Sequence, residues 1–551
     1  MRAQSYLKSL LQEAVQRRGW KWPPKASLER PKDSGFGDLA SNVALVLASQ
    51  AGQKPREVAA SLREELLGQG REIERIEVAG PGFLNFTFSP GFWQQTVPLV
   101  LDSEELFGKS DFGQGEPVLL EYVSANPTGP LHIGHGRGAA VGDSLARILR
   151  QTGFEVTTEY YLNDTGRQMS ILGQSIWARY RSLLGREAEL PAEGYQGEYI
   201  KDLAQRALSE YGEGLLEVED PEAMAPCTEM VREAILEEIR SDLESFGVKH
   251  EVFFSEKSLL ESGAVDRTLS MLQERGLAFE SEGALWFRST DFGDDKDRVL
   301  RKSNGELTYF ASDIAYHADK LSRGFSRLID VWGADHHGYV PRMKAAVQAL
   351  GRDKDDLQVV LIQLVSLLRS GEQVAMSTRA GQFVTLAEVC SEVGVNAARF
   401  IFLSRKSDSH LDFDLDLLKQ QSMDNPVYYV QYAHARIQSI FKKATERGLT
   451  GNEPRDGCLA SLDTEQDLEI LKAVDRFPEV LQGAARTLSP HHVSYYLLEL
   501  AGMFHRYYNT HSVVNASQPE QAQGRLLLLQ TIAQVLRNGL QLLGVEAPEQ
   551  M

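Results

Sequence analysis

Apolar residues recur along this chain with two different periods, and the changes of period divide it into three parts. Leu7, Leu10, Leu11 and Val15 fall on one helical face. Further helices are predicted near 39–49 and 56–67. The period then drops to two, and 73–78 and 82–88 alternate as strands do. Residues 1–88 therefore read as a small α/β domain. From 89 to 409, short apolar runs at 118–123, 155–162, 328–332 and 359–365 are separated by helical patterns. That alternation predicts a mostly parallel, doubly wound sheet with helices on both faces. Ligands of such sheets bind beyond the carboxyl ends of the strands. The loops after Val123, after Trp332 and beyond Val365 fall there. The charged, helix-rich stretch 175–290 reads as an insertion. Residues 410–551 keep the helical period throughout and predict an all-α bundle. One helix opens at Asp424-Asn425-Pro426, a cap followed by proline in the first turn, with an apolar stripe of Val427, Val430, Ile437, Ile440 and Phe441. A closing helix pair is predicted near 493–508 and 525–543.

Length and composition narrow the class. A chain of 551 residues exceeds one hydrophobic core, which supports a division into three domains. With 42% hydrophobic and 25% charged residues it falls among ordinary globular proteins, and disorder is excluded as its main state. No apolar run approaches the 18 or so residues of a membrane span. The first residues lack the apolar stretch of a signal peptide. Cys227, Cys390 and Cys458 lie far apart and form no Cys-x-x-Cys. This spacing argues against a zinc or disulfide framework and suits a reducing cytoplasm.

The candidate chemistry is concentrated after the first strand of the middle part. An apolar stretch, 117–123, leads through a loop with two prolines into a helix whose first turn carries His132 and His135. Three residues apart, the imidazoles share one face at the positive end of the helix dipole. Gly134, Gly136 and Gly138 let a ligand come close to the backbone. A nucleoside triphosphate attacked at its α-phosphate needs such a place. The histidine spacing is not that of the helical zinc motif, and no complete Walker loop occurs, since Gly108-Lys109-Ser110 has Ser103 where the first glycine of that pattern belongs. Gly134-x-Gly136-x-x-Ala139 matches only part of the dinucleotide fingerprint, which wants its glycines directly after the strand. The phosphates are thus expected on imidazoles and a helix N-terminus, not in a lysine cradle.

The segment His132-Ile-Gly-His135 resembles the HIGH motif of the class I aminoacyl-tRNA synthetases, and its flanks, Ser124-Ala-Asn126-Pro-Thr-Gly and Gly138-Ala-Ala-Val-Gly-Asp143, resemble the bacterial arginyl-tRNA synthetase family. Asp33-Ser-Gly-Phe-Gly-Asp38, Tyr309-Phe-Ala-Ser-Asp313-Ile-Ala-Tyr316-His, Val331-Trp-Gly-Ala-Asp335-His-His337, Met376-Ser-Thr-Arg-Ala-Gly381 and Asp424-Asn-Pro-Val-Tyr-Tyr-Val-Gln-Tyr-Ala-His-Ala-Arg436 follow in family order over nearly the whole chain. The resemblance implies a Rossmann-like catalytic domain between a tRNA-elbow domain and an anticodon-binding bundle. It implies arginine–tRNA ligation through an arginyl-adenylate. The partners implied are L-arginine, tRNA(Arg) and ATP with Mg2+ as a substrate complex, with no structural metal. The chain is expected to be a cytoplasmic monomer that activates arginine when tRNA is present. Another HIGH-motif synthetase or a non-catalytic tRNA-binding paralogue are the rival readings. The absence of paired cysteines argues against a cysteinyl enzyme, and an acid at 313 against a glutamyl one.

By the same resemblance, Glu121 and Asn126 hold the α-amino end of arginine and neighbouring atoms, and Ser124 and His132 also belong to its binding site. Tyr309 and Asp313 line its side-chain pocket, with Asp335 beside it. A planar guanidinium pairs naturally with a carboxylate, and Asp313 is the expected partner. ATP is expected on His132, Gly134, His135, Gly138, His336, His337, Met376, Ser377, Thr378 and Arg379. The last four occupy the place of the KMSKS loop, but Ala375 and Thr378 stand where its lysines belong, so Arg379 is expected to supply the missing charge and to act with His132 and His135 in catalysis. Gly35-Phe36-Gly37-Asp38 reads either as a glycine-permitted turn or as an RNA contact. The tRNA-binding candidates are Phe36, Asn42, Tyr432, Arg436, Phe504, Tyr507, Asn509 and Arg537, aromatic or donor residues able to stack on or hydrogen-bond single-stranded bases. The net charge of −19 then requires a local positive face, which is sufficient because charges are screened over about 10 Å at 0.1 M salt.

Overall fold

The computed structural model describes every residue except 1, 32, 68–71, 218–219, 375–383, 450–455 and 515–517. At its centre lies a sheet of five strands: β1 (Pro117–Glu121), β2 (Glu155–Leu162), β3 (Val252–Ser255), β4 (Arg327–Gly333) and β5 (Leu357–Ile362). Their order is β5-β4-β1-β2-β3, and every pairing is parallel. Val118, Leu119 and Leu120 are fully buried, as a parallel strand covered on both faces requires. Helix α1 (Ile133–Gln151) carries the chain from β1 to β2, and α2 (Tyr309–Ser322) delivers it to β4. The sheet grows one way from β1 through β2 to β3 and the other way from β4 to β5. The order reverses between β1 and β4, and a doubly wound sheet opens its ligand crevice at that point.

Two sequence expectations need correction. β3 lies inside 175–290, the stretch assigned to an insertion. This strand has four residues, all half-buried, too few and too uniform for a period to register. The inserted helices are Gly166–Leu183, Glu198–Tyr211 and Asp220–Ser245, which lie between β2 and β3. The apolar run 359–365 also divides. β5 ends at Ile362, and Val365–Arg369 joins a separate sheet beside Leu411–Asp414. Arg137, wholly buried on α1, is the cause. It donates to the carbonyls of Gln363 (2.8 Å), Ser409 (2.8 Å) and Lys406 (2.9 Å), so the chain turns away from the sheet where those carbonyls converge.

Before the central sheet, four antiparallel strands carry helices Arg2–Arg17, Val43–Ala51 and Pro55–Leu66. The helix expected from 39 begins at Val43, because Leu39–Ser41 is a strand paired with 84–86. After it come the bundle helices, among them α3 (Pro426–Glu446), α4 (His491–Thr510) and α5 (Pro519–Leu542). The helices Pro90–Gln94 and Thr96–Ser103 follow the first sheet but rest on this bundle: Gln94 donates to the Leu462 carbonyl (3.1 Å), and Asn538 on α5 donates to that of Glu104 (2.8 Å).

One buried knot fastens the bundle to the central sheet. Asp143, midway along α1, accepts from Arg147 Nε (2.8 Å) and from Arg399, which is wholly buried. Arg399 also donates to the carbonyls of Leu543 (2.9 Å), just past α5, and Phe246 (3.0 Å), just past the inserted helices. A Cβ on Gly544 would lie 2.3 Å from the guanidinium, so only glycine fits there. Removing one member of a buried ion pair strands the other charge at a cost of about 3–5 kcal/mol. Asp143→Ala is expected to lower the unfolding free energy by that amount, read as a lower denaturant midpoint with an unchanged m-value. A midpoint equal to the parent's would mean that the carbonyls alone satisfy Arg399.

Candidate active site

The crevice predicted by strand order is present as a cavity of about 440 Å³. β1 supplies Glu121 at its carboxyl end, β4 supplies Asp330, Val331, Trp332 and Gly333, and β2 supplies Tyr161. α2 closes it with Tyr309, Asp313, Tyr316 and His317, and the loop after β1 adds Val123, Ser124 and Asn126. Val123 and Ser124 are held at φ of 68° and 42°, a left-handed backbone that is costly for a β-branched residue. This bend brings Ser124 back over the strand end. Its hydroxyl donates to Glu121 Oε1 (2.9 Å) and accepts from the Tyr161 N–H (3.1 Å).

The cavity is acidic, and its acids differ in kind. Glu121 Oε2 and Asp330 Oδ1 both receive the wholly buried Lys320 ammonium, at 2.5 and 2.9 Å. His317 Nε2 approaches Asp330 Oδ2 at 3.1 Å. Burial pulls the lysine pKa down, but Asp330 and Glu121 outweigh it and hold it above its ordinary value. Asp313 is different: among the described residues the Tyr339 hydroxyl, not a lysine or arginine, donates to its carboxylate. Burial pushes its pKa up to about 6, against the downward pull of Tyr339 and His317, and with Glu256 and Glu121 adding to the rise. A carboxylate so held gains by meeting a cation.

The histidines form their own construction at the head of α1. His132 is the N-cap, and its Nδ1 accepts from the Gly134 N–H (3.1 Å). His135 Nδ1 accepts from the His132 N–H (3.2 Å), and the rings stack with centroids 3.7 Å apart. A ring nitrogen that accepts carries no proton, so each neutral imidazole keeps its hydrogen on Nε2. Burial, then the neighbouring His132, hold His135 down to about 3, and burial lowers His132 as well. Near neutral pH the pair is two uncharged N–H donors. A Cβ at Gly134 would lie 2.9 Å from the His132 ring, and one at Gly136 would strike Leu386 at 2.6 Å. Gly136 thus serves packing and not ligand approach, whereas a Cβ at Gly138 would meet nothing within 4 Å.

The structure brings together Glu121, Ser124, Asn126, Tyr309, Asp313 and His336. It leaves out two residues expected with arginine. His132 does not line the cavity, because its ring folds back on Gly134 and His135 at the far end of the connecting loop. Asp335, with 79% of its side chain exposed, faces solvent beside His336 on the short helix Ala334–Tyr339. His337 is exposed on the same helix. Met376, Ser377, Thr378 and Arg379 lie outside the described residues. The chain that follows them returns to the histidines: Thr385 bridges His132, and the Leu386 N–H donates to the Leu131 carbonyl (2.7 Å). Of the cations at 301 and 302, Arg301 is paired with Asp266 and Lys302 with Glu306.

Of the tRNA candidates, Phe504 and Tyr507 are corrected: both are buried inside the bundle, with the Tyr507 hydroxyl on Asp467, and offer no face to a base. Their helix is apolar on more than one side, so the sequence did not separate its inner from its outer aromatics. Tyr432 stacks on Tyr428 (5.6 Å, 9°), and the Arg436 guanidinium lies 4.3 Å from the Tyr508 ring centroid. Asn509 is exposed, Arg537 is half-buried beside His434, and Phe36 is exposed. The Asn42 amide is engaged with Ser27 (2.7 Å) and Lys25 (3.2 Å).

Sequence reasoning passed over Tyr161, His317, Lys320, Asp330 and Tyr339. The signal was available. An aspartate within the apolar run Leu-Ile-Asp-Val requires a buried partner. Asp313, His317 and Lys320 recur at i, i+4 and i+7, a polar stripe on one face of α2.

Three family models match successive parts of the chain: an arginyl tRNA synthetase N terminal domain on residues 5–88, the catalytic domain of class I (R) tRNA synthetases on 96–414, and a DALR anticodon binding domain on 430–551. The arginine–tRNA ligases of Nitratidesulfovibrio vulgaris and Oleidesulfovibrio alaskensis are each 57% identical over 552 residues, spanning 100% of both chains compared. Among solved structures, the arginyl-tRNA synthetase of Thermus thermophilus superposes with a TM-score of 0.74 at 24% identity, covering 99% of this chain and 100% of its own, a likeness of fold.

Proposed function

The chain belongs to the class I arginyl-tRNA synthetases and joins arginine to tRNA at the expense of ATP, and from that premise we propose which residues carry each step. The arginine guanidinium enters the cavity and pairs with Asp313, whose charge is otherwise met by a hydroxyl. Among the described residues no lysine or arginine is bonded to that acid, which is the observation supporting the assignment. Glu121, Ser124 and Asn126 take the α-amino end, and Tyr309, 62% exposed at the start of α2, covers the mouth. A lysine side chain cannot make two parallel bonds to one carboxylate, which favours arginine.

The α-carboxylate then attacks the α-phosphate of ATP, which comes with Mg2+ as its substrate complex. Charge builds on the phosphate oxygens, and the Nε2–H groups of His132 and His135 are fixed donors for it. The adenosine lies near Gly134, Gly138, His336 and His337. Met376, Ser377, Thr378 and Arg379 take the β- and γ-phosphates. Pyrophosphate leaves, and the 2′-hydroxyl of the terminal adenosine attacks the arginyl-adenylate. Both steps are placement and charge stabilisation, with no covalent enzyme intermediate. Residues 1–88 approach the tRNA elbow through Phe36, 89–409 carry the chemistry, and 410–551 read the anticodon through Tyr432, Arg436, Asn509 and Arg537. The chain acts as a cytoplasmic monomer.

The pH dependence tests the pocket. The guanidinium binds the ionised form of Asp313, so affinity is full above its pKa and falls as the pH drops through about 6. KM for arginine is expected to rise by about tenfold for each pH unit below that point, since one proton must be displaced per arginine bound. Asp313→Asn removes this dependence along with the charge. A KM for arginine that is flat from pH 7 to pH 5 in the unaltered enzyme would place the guanidinium elsewhere.

A further inference from the structure

The first domain and the bundle meet along a charged seam that no step above uses. Arg2 Nε lies 3.4 Å from Asp475 Oδ1, and Arg30 lies 3.9 Å from Glu479. Asp38 reverses the polarity: its Oδ1 receives the Lys472 ammonium at 2.6 Å. The alternation fixes the register of the two surfaces, since a slip along the seam would set like charges together. The space left beside it is about 20 Å³, about enough for one water. Asp38 works in two directions. Its other oxygen, Oδ2, accepts from the Phe88 N–H (2.8 Å), and its side chain is only 7% exposed. Two residues earlier, on the turn Ser34–Phe36, the Phe36 ring is 53% exposed. Gly37 between them sits at φ of 91°, and a Cβ there would lie 2.7 Å from the Phe86 carbonyl oxygen. The turn that presents Phe36 is thus fastened to the first sheet on one side and to the bundle on the other. The helix Glu465–Asp475, which carries Lys472, is bonded in turn to α4. Tyr507 donates to Asp467 (2.6 Å) and Tyr496 to the Ala473 carbonyl (3.0 Å). α4 also bears Asn509 and Tyr508, on which the Arg436 guanidinium rests.

We propose that Asp38 is a positioning residue that holds the elbow contact at a fixed distance from the anticodon contact. Through Lys472 it ties the turn bearing Phe36 to the helices that read the anticodon. tRNA then meets a rigid two-point gauge. Once the anticodon is seated, the elbow is met at a high effective concentration, and both contacts add to affinity. Without the tether, the contact at Phe36 must carry an ordering cost that the ion pair had met beforehand. Of the segment Gly35-Phe36-Gly37-Asp38, the aromatic faces outward and the acid inward. Nearly buried, and with both oxygens on protein donors, Asp38 touches no RNA; it acts through the turn that presents Phe36.

This inference rests on the elbow and anticodon assignments above, and its test separates the two. The test variant is Lys472→Met, which keeps the alkyl stem and removes the charge. Lys472→Arg, which keeps the charge, is the conservative control, and Phe36→Ala probes the elbow contact directly. Aminoacylation is measured with three transcripts of tRNA(Arg): unaltered, changed in the unpaired bases of the elbow, and changed in the anticodon. Melting temperatures are taken alongside. In Lys472→Met, KM for the unaltered transcript is expected to rise by about tenfold as effective concentration is lost. The penalty for the elbow change should shrink to within about twofold. The penalty for the anticodon change, and kcat at saturating tRNA, should stay within about twofold of the parent's. Lys472→Arg should keep both the low KM and the elbow penalty. A merely structural ion pair would lower the melting temperature and leave the ratios between transcripts untouched. If Lys472→Met keeps the parent's KM and its full elbow penalty while Phe36→Ala loses that penalty, the elbow contact stands and the tether is overturned. If Lys472→Arg loses the penalty as fully as Lys472→Met, packing and not the ion pair sets the turn, and the role of Asp38 is likewise overturned. If the elbow change carries no penalty in the parent, or Phe36→Ala keeps it whole, the elbow assignment itself fails. Should Lys472→Met not fold, Asp38→Asn, which keeps an acceptor for the Phe88 N–H, takes its place: loss of the elbow penalty supports the tether and a full penalty refutes it.

Discussion

Replacing His132 with alanine is expected to slow arginyl-adenylate formation by about 10²–10³-fold, the loss of about 2.7–4 kcal/mol that follows removal of one preorganised donor to a developing oxyanion. KM for arginine should change little, because His132 lies outside the arginine cavity. The same substitution removes an N-cap, worth about 1 kcal/mol of stability, so the melting temperature must be measured alongside. Pre-steady-state adenylate formation with saturating ATP and tRNA is the direct measurement. His135→Ala should match it in size, since the two rings support each other through the His132 N–H and their stacking. For the same reason the double substitution should cost less than the sum of the two single ones. Burial keeps His135 near 3, so His135 should contribute no titration to this step between pH 6 and pH 8. Adenylate formation at the parent's rate in His132→Ala would remove the pair from the chemistry.

Asp313→Ala is expected to raise KM for arginine by about 10²–10⁴-fold, because a guanidinium buried without its carboxylate forfeits about 3–5 kcal/mol. KM for ATP should remain near its starting value, as the acid lies on α2 and faces the amino-acid cavity. Tyr339 then loses its acceptor, so Tyr339→Phe makes a useful companion. It deletes one hydrogen bond, leaves the carboxylate in place, and should raise KM for arginine by about an order of magnitude less. Equal effects of Asp313→Ala on arginine and on ATP would point to a distorted fold instead of a lost contact. Both substitutions are read at pH 7.5, above the point where the Asp313 carboxyl takes up its proton.

The sheet, the bundle and the loops at the strand ends could be read from periodicity, because each depends on local spacing and on burial of one face. The histidine pair could be read for the same reason, as polar groups in the first turn of a helix that follows an apolar strand, whereas Glu121 and Asp313 were reached only through the family resemblance. The positions that escaped depend on contacts distant in sequence. Lys320 looks like an ordinary surface lysine of an amphipathic helix until Glu121, 199 positions away, is placed against it. β3 was hidden by its brevity, and the turn after Ile362 by a single arginine 226 residues earlier. The outward turn of Asp335, and the inward turn of Phe504 and Tyr507, depend on rotation about a helix axis that apolar counting does not resolve.

The knot at Arg399 makes one guanidinium a junction of three parts of the molecule. The Leu543 carbonyl from the bundle, the Phe246 carbonyl from the end of the inserted helices and the Asp143 carboxylate from α1 all converge on it. A shift of the bundle that withdraws the Leu543 carbonyl is therefore felt by the same helix that carries His132 and His135 at its head, so events in the bundle have a mechanical route to the chemistry.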